Sequence, residues 1–161
     1  MVSNFSKKLK ARSRDIKEDL KPGLTFQFEF KIPETKTVPY LYPESEEFQA
    51  MPEVLATGFM VGLIEWGCIR FINKFIDWPN EQTVGIDVKL SHSAATPPGL
   101  TVTVKGELAK VDGRKLMFSI KAHDGVDIIF EGTHERFIVN AEKFTAKVND
   151  KKKRGSGNIS G

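Results

Sequence analysis

The chain has 161 residues, 40% of them hydrophobic, enough for one compact domain with its own core and too few for two domains of ordinary size. Its 24 basic and 21 acidic residues leave a net charge of +3, yet residues 1–17 hold six basic and one acidic and residues 149–161 hold four and one, so the body between carries −5. An acidic body with basic ends argues against nucleic-acid binding, which needs fixed positive side chains on a folded face. The one cysteine, Cys68, excludes an intramolecular disulfide framework and any CxxC metal or redox site.

Residues 1–20 place Phe5, Leu9, Ile16 and Leu20 among lysines and serines, while Asp15, Glu18 and Asp19 break the acid-poor pattern of a targeting helix. They read as a basic N-terminal extension. The expected location is cytoplasmic, with an organelle address through this extension as the alternative. From 24 to 32 Leu24, Phe26, Phe28, Phe30 and Ile32 alternate with polar residues, the period of a strand with one buried face. Pro33, Pro39, Pro43 and Pro52, with Glu44, Glu46 and Glu47, make 33–53 a loop with short helical turns at most. Its aromatics Tyr40, Tyr42 and Phe48 either wall a pocket or fasten the loop to the core.

Residues 55–76 are apolar on nearly every side, which predicts a buried helix. Gly58, Gly62 and Gly67 each cost such a helix about 1 kcal/mol relative to alanine, so close approach of other backbone is expected there. No membrane span is expected, because Glu65, Arg70, Asn73 and Lys74 interrupt the longest apolar run. Beyond the stop at 77–80, Ile86, Val88, Leu90 and His92 share one face of a strand, and Leu100, Val102 and Val104 share a face of the next. Asp112-Gly113 and Asp124-Gly125 are hairpin signals, so 100–140 form an antiparallel meander. The basic end, 149–161, reads as a disordered tail. The class is α+β: one long central helix wrapped by a curved antiparallel sheet, half-covered and inviting dimerisation.

Glu65 carries the most information. Its neighbours one helical turn away are Val61, Gly62, Cys68 and Ile69, none able to satisfy a carboxylate. Arg70 is rotated away from it by about 140°. Burial of an unpaired charge is prohibitive, so its partner comes from elsewhere: either a structural salt bridge with a distant base or a functional carboxylate. His92 points inward from its strand, as a bonded core histidine or as a catalyst. Thr57 precedes the helix, as an N-cap or as part of a site with the free N–H groups there. Eight residues separate Thr57 from Glu65, about 12 Å along a helix and roughly 80° around it, so a site using both requires bridging substrate or a second subunit. His123 and His134 are expected at the surface, as are Lys36, Arg114 and Lys115. No metal-ligand spacing and no glycine-rich strand-to-helix loop is present.

The stretches KTVPYLYPESEEF, ATGFMVGLIEW, SHSAATPPGLTVTV, AHDGVD and GTHERFIVNAEKFTAKV resemble the fluoroacetyl-CoA thioesterase family of the hotdog-fold thioesterases. The resemblance covers about 21–148 and is absent from both ends. It implies a hotdog fold, a homodimer with its active sites at the subunit interface, hydrolysis of a short acyl-CoA thioester, and no metal or organic cofactor, CoA being part of the substrate. The family's catalytic threonine, glutamate and histidine fall on Thr57, Glu65 and His92. Its glycine and arginine beside the acyl group fall on Gly85 and Arg136. For hydrolysis, the backbone around Thr57 and Gly58 at the helix N-terminus is expected to hold the carbonyl oxygen. Where the family has an aromatic gate over its pocket this chain has Met51, with Phe48 nearby, so selectivity for a fluorinated acyl group does not follow from the resemblance. Two other readings stand beside hydrolysis: an acyl-thioester dehydratase or hydratase of the same fold, and a noncatalytic acyl-CoA-binding module.

Overall fold

The computed structural model describes residues 19–157; all but the last two residues of the extension considered for targeting lie outside them. The alternation at the start forms β1 (Thr25–Lys31), with Phe28 buried at its centre and the polar residues outward. Leu20, assigned above to the extension, is already part of the core. After two 3-10 turns and a single turn of helix, α1 (Glu46–Gln49), the chain enters α2 (Thr57–Ile72). Then come β2 (Glu81–His92), β3 (Thr101–Asp112), β4 (Lys115–His123), β5 (Ile128–Asn140) and α3 (Ala141–Gly157).

The five strands form one antiparallel sheet in the order β1-β3-β4-β5-β2, which leaves β1 and β2 at the edges. Both expected hairpins are present, each with a glycine at positive φ, Gly113 at 57° and Gly125 at 91°. Asp124 builds the second: its Oδ1 accepts from the N–H groups of Val126 and Asp127, and its Oδ2 accepts from the buried Thr96 hydroxyl. A β-bulge between Gly85 and Asp87 takes Ile86 out of the alternation expected for it, so Val88, Leu90 and His92 stay opposite His134, Gly132 and Phe130 without it, but Val88 is exposed like Ile86 and only Leu90 and His92 are half-buried.

One side of α2 supplies Met60, Leu63, Ile64, Cys68, Phe71 and Ile72 to the core against Val102, Val104, Phe118, Ile120 and Phe130. Each such side chain contributes about 1.5–3 kcal/mol by leaving water. Phe71 stacks on Phe26 and meets Phe118 edge-on, fastening the helix to β1 and β4. The helix is not buried all round: Trp66 remains 45% exposed, although its ring meets Phe28 and Phe30 of β1 edge-on. The close approach of other backbone expected at the helical glycines is not found: a Cβ at Gly67 would stand 3.0 Å from the Phe26 ring, a side chain, and Gly62 faces open space. Cys68 is fully buried, and burial pushes its thiol up to about 12.

The expected tail is helical as far as it is described, its last four residues, 158–161, lying outside the described residues. Residues 149–157 continue α3, whose first turn is capped by Asn140 Oδ1 accepting from the Lys143 N–H. Lys151, Lys152, Lys153 and Arg154 lie toward its C-terminal end, where the helix dipole favours positive charge.

Candidate active site

Ala56, with extended backbone, occupies the N-cap of α2, and Thr57 is the first helical residue. The expected capping role of Thr57 is therefore replaced. Its hydroxyl is free of the helix and lies 2.8 Å from His92 Nδ1 at the end of β2. The bond works in either sense. With Nδ1–H donating to Oγ1, Nε2 is a base; with the threonine hydroxyl donating to Nδ1, Nε2 carries the proton and is an acid. His92 Nε2 is buried without a hydrogen-bond partner, and burial pushes the imidazole below its ordinary value. The first backbone bond of α2 runs from the Met60 N–H to the Ala56 carbonyl; the N–H groups ahead of it have no carbonyl within the helix.

Glu65 has the distant partner its helical neighbours deny it. Arg136 Nη1 donates to Glu65 Oε1 at 3.1 Å, from β5. The glutamate is not buried as expected, its side chain being 38% exposed, whereas the Arg136 side chain is 2% exposed. The guanidinium is fixed from behind: Nε donates to Thr83 Oγ1 at 3.0 Å and Nη2 to the Thr83 carbonyl at 2.7 Å. Arg70 turns the other way and lies over the Phe28 ring.

His134, expected at the surface, is fully buried in this cluster. Its Nδ1 lies 3.0 Å from the Asp87 carbonyl, and its Nε2 is 3.0 Å from Arg136 Nη1 and 4.0 Å from Glu65 Oε1. Burial pushes this imidazole down, aided by the Arg136 charge and opposed by the Asp87 carbonyl and Glu65. Gly85, opposite Arg136 in the β2–β5 ladder, leaves room for the cluster: a Cβ there would stand 2.5 Å from Glu65 Oε1 and 3.2 Å from the His134 ring.

The model of the fluoroacetyl-CoA-specific thioesterase family matches residues 41–142. The sequence is 51% identical to the fluoroacetyl-CoA thioesterase of Streptantibioticus cattleyicolor over 140 residues, 87% of this chain and all of that protein. The chain belongs to the fluoroacetyl-CoA-specific thioesterase family. A crystal structure of the family's FlK, a variant in complex with fluoroacetate, superposes with a TM-score of 0.80 at 52% identity over 82% of this chain and 98% of that one. A thioesterase-superfamily protein of Thermus thermophilus gives 0.74 at 26% identity over 86% and 97%. The fold is the hotdog fold implied by the resemblance.

Within this family member the named side chains fall into two groups on one flank of α2. Thr57 pairs with His92 and Glu65 pairs with Arg136 beside Gly85; among the described residues no hydrogen bond joins the two groups. Gly58 sits under Leu41, whose methyl carbons would lie 3.1 Å from a Cβ placed there. Phe48 stacks on Tyr42, and Met51 is half-exposed on the segment before α2. A cavity of ≈ 280 Å³ between α2 and β1, lined by Phe30, Leu55, Phe59, Trp66 and Lys36, contains none of the residues anticipated for chemistry. Lys36 is thus no ordinary surface charge, its Nζ standing 4.7 Å from the Phe59 ring centre. Thr83 and His134 are the members of the cluster that sequence reasoning missed. The signal for His134 is the register of β5, in which Phe130, His134, Arg136 and Ile138 recur at even spacing and all are buried; Thr83 lies on β2 and carries no such signal. Among the described residues no group of histidine, cysteine, aspartate and glutamate is placed to hold a metal, and no helix is long and apolar enough to cross a membrane.

Proposed function

We propose that this thioester hydrolase splits a short-chain acyl-CoA ester into the free acid and CoA with Thr57, Glu65 and His92, and that a second copy of the chain completes the site. The observation that carries the reading is the Thr57–His92 bond: it holds an imidazole beside a helix N-terminus with Nε2 buried and unpartnered. Thioester hydrolysis needs a polarised carbonyl, an oxygen nucleophile and a proton for the leaving thiolate. The N–H groups of the first turn, around Thr57 and Gly58, hold the developing oxyanion. Glu65 either attacks the carbonyl carbon, expelling the thiolate and leaving an anhydride that water then hydrolyses to the free acid, or activates a water that attacks in its place. Arg136 holds Oε1, which leaves Oε2 for that step. His92, neutral at rest, takes a proton from the water consumed and passes it to the departing sulfur, and Thr57 orients the imidazole.

The homodimer is supported by the separation of the two groups and by the free edge at β2. Ile86 and Val88 are exposed there, on a strand whose second neighbour is missing within one chain. Release of free thiol from acetyl-CoA and fluoroacetyl-CoA tests the reaction and the acyl preference together. Stoichiometric thiol and acid are expected. A change in acyl unsaturation without thiol, or thermal stabilisation by acyl-CoA without turnover, overturns the proposal.

A further inference from the structure

His134 has no role in the scheme above, yet both of its ring nitrogens are committed beside Glu65. The Asp87 carbonyl can only accept, so its 3.0 Å contact requires a hydrogen on Nδ1. In the neutral ring that leaves a lone pair on Nε2, and Arg136 Nη1, which can only donate, lies 3.0 Å away. An imidazolium would set donor against donor across the same distance. The ring is therefore uncharged and in its Nδ1–H form.

Arg136 has five N–H bonds in a rigid plane. Thr83 takes one from Nε and one from Nη2, and neither of these contacts reaches Nη1. The two hydrogens of Nη1 are divided between His134 Nε2 and Glu65 Oε1. Because they are about 120° apart in the guanidinium plane, fixing one aims the other. We propose that His134 is a positioning residue: as a neutral acceptor it occupies the inner Nη1 hydrogen of Arg136, so that the guanidinium meets Glu65 through a single hydrogen on Oε1 and leaves Oε2 free to react. Without that acceptor a buried N–H is left unsatisfied, and the guanidinium turns to find a second oxygen, that of Glu65 included. The proposal rests on Glu65 being the working carboxylate.

Two variants of the full chain test it, with acetyl-CoA and fluoroacetyl-CoA as probes. His134→Leu keeps bulk and removes the acceptor, whereas His134→Gln sets an amide oxygen near the place of Nε2. The leucine variant is expected to lose about 10-fold or more in kcat with KM little changed, and the glutamine variant to recover most of that loss. Unchanged kcat in a folded leucine variant, equal losses in both, or an effect confined to KM overturns the proposal. Should the leucine variant fail to fold, nitrogen-15 spectra of imidazole-labelled protein decide: the ring whose signals vanish in His134→Gln must carry hydrogen on Nδ1 and none on Nε2 at neutral pH. The opposite tautomer or a doubly protonated ring overturns it. Glu65→Gln and Arg136→Met separate this inference from the reading beneath it. Near-normal thiol release in Glu65→Gln removes the carboxylate and the reading with it, full activity in Arg136→Met removes the guanidinium and with it the role of His134, and an inactive Arg136→Met beside an unimpaired His134→Leu rejects the role of His134 alone.

Discussion

Thr57 Oγ1 and His92 Nδ1, 35 residues apart in the chain, lie 2.8 Å from each other and tie the first turn of α2 to the last residue of β2. Thr57→Ser keeps the hydroxyl and is expected to retain most of the turnover. Thr57→Val keeps the shape and removes the bond, and about 10- to 100-fold in kcat should go with it. Steady-state kinetics on both variants, with matched thermal unfolding, check the contrast.

Glu65→Gln preserves an acceptor for Arg136 Nη1 while removing the charge and the nucleophile. Folding should survive, since the side chain is half-exposed and the guanidinium keeps its bonds to Thr83. Thiol release is expected to fall by about 1,000-fold or more; near-normal release would take Glu65 out of the reaction.

Gly85→Ala places a methyl group against Glu65 Oε1 and the His134 ring. The exposed end of Glu65 gives way first, because His134 and Arg136 are packed and bonded on every polar side. The expected result is a loss of kcat accompanied by about 1–3 kcal/mol of destabilisation from overpacking, read by chemical denaturation alongside kinetics.

The pH profile follows from burial of His92. Its folded pKa lies below the ordinary histidine value, about 6.5, so the neutral ring persists to lower pH than in a free histidine. A reaction in which His92 acts first as a base therefore rises with pH through a midpoint under about 6.5. A midpoint above that value would contradict the assignment.

Ile86→Lys together with Val88→Lys puts two charges on the open edge of β2. If a second copy completes the site, sedimentation should show a shift from dimer to monomer, with activity lost in step. A wild-type chain that is monomeric and active at micromolar concentration refutes the shared site.

Much of this arrangement is legible in the sequence, and the failures have physical causes. The alternation of β1 and the two Asp-Gly turns are local signals, and each forms the element expected. Thr57, Glu65 and His92 stand out because each is a polar group in apolar surroundings. His134 does not, because β5 has polar residues on both faces, and only its pairing with β2, across the bulge at Ile86, settles which face is inward. Thr57 is a favoured capping residue by type, but the extended backbone of Ala56 takes that place and frees the hydroxyl for His92. The basic run after Asp150 reads as a tail from composition, whereas the Asn140 cap upstream and the helix dipole extend α3 through it.

The sealed position of Cys68 bears on how this protein can be studied. A thiol that ionises only near about 12 presents almost no thiolate at neutral pH, so an aromatic disulfide indicator finds nothing on the folded polypeptide to react with. Every equivalent of colour then counts released coenzyme, even at enzyme concentrations high enough to follow a single turnover.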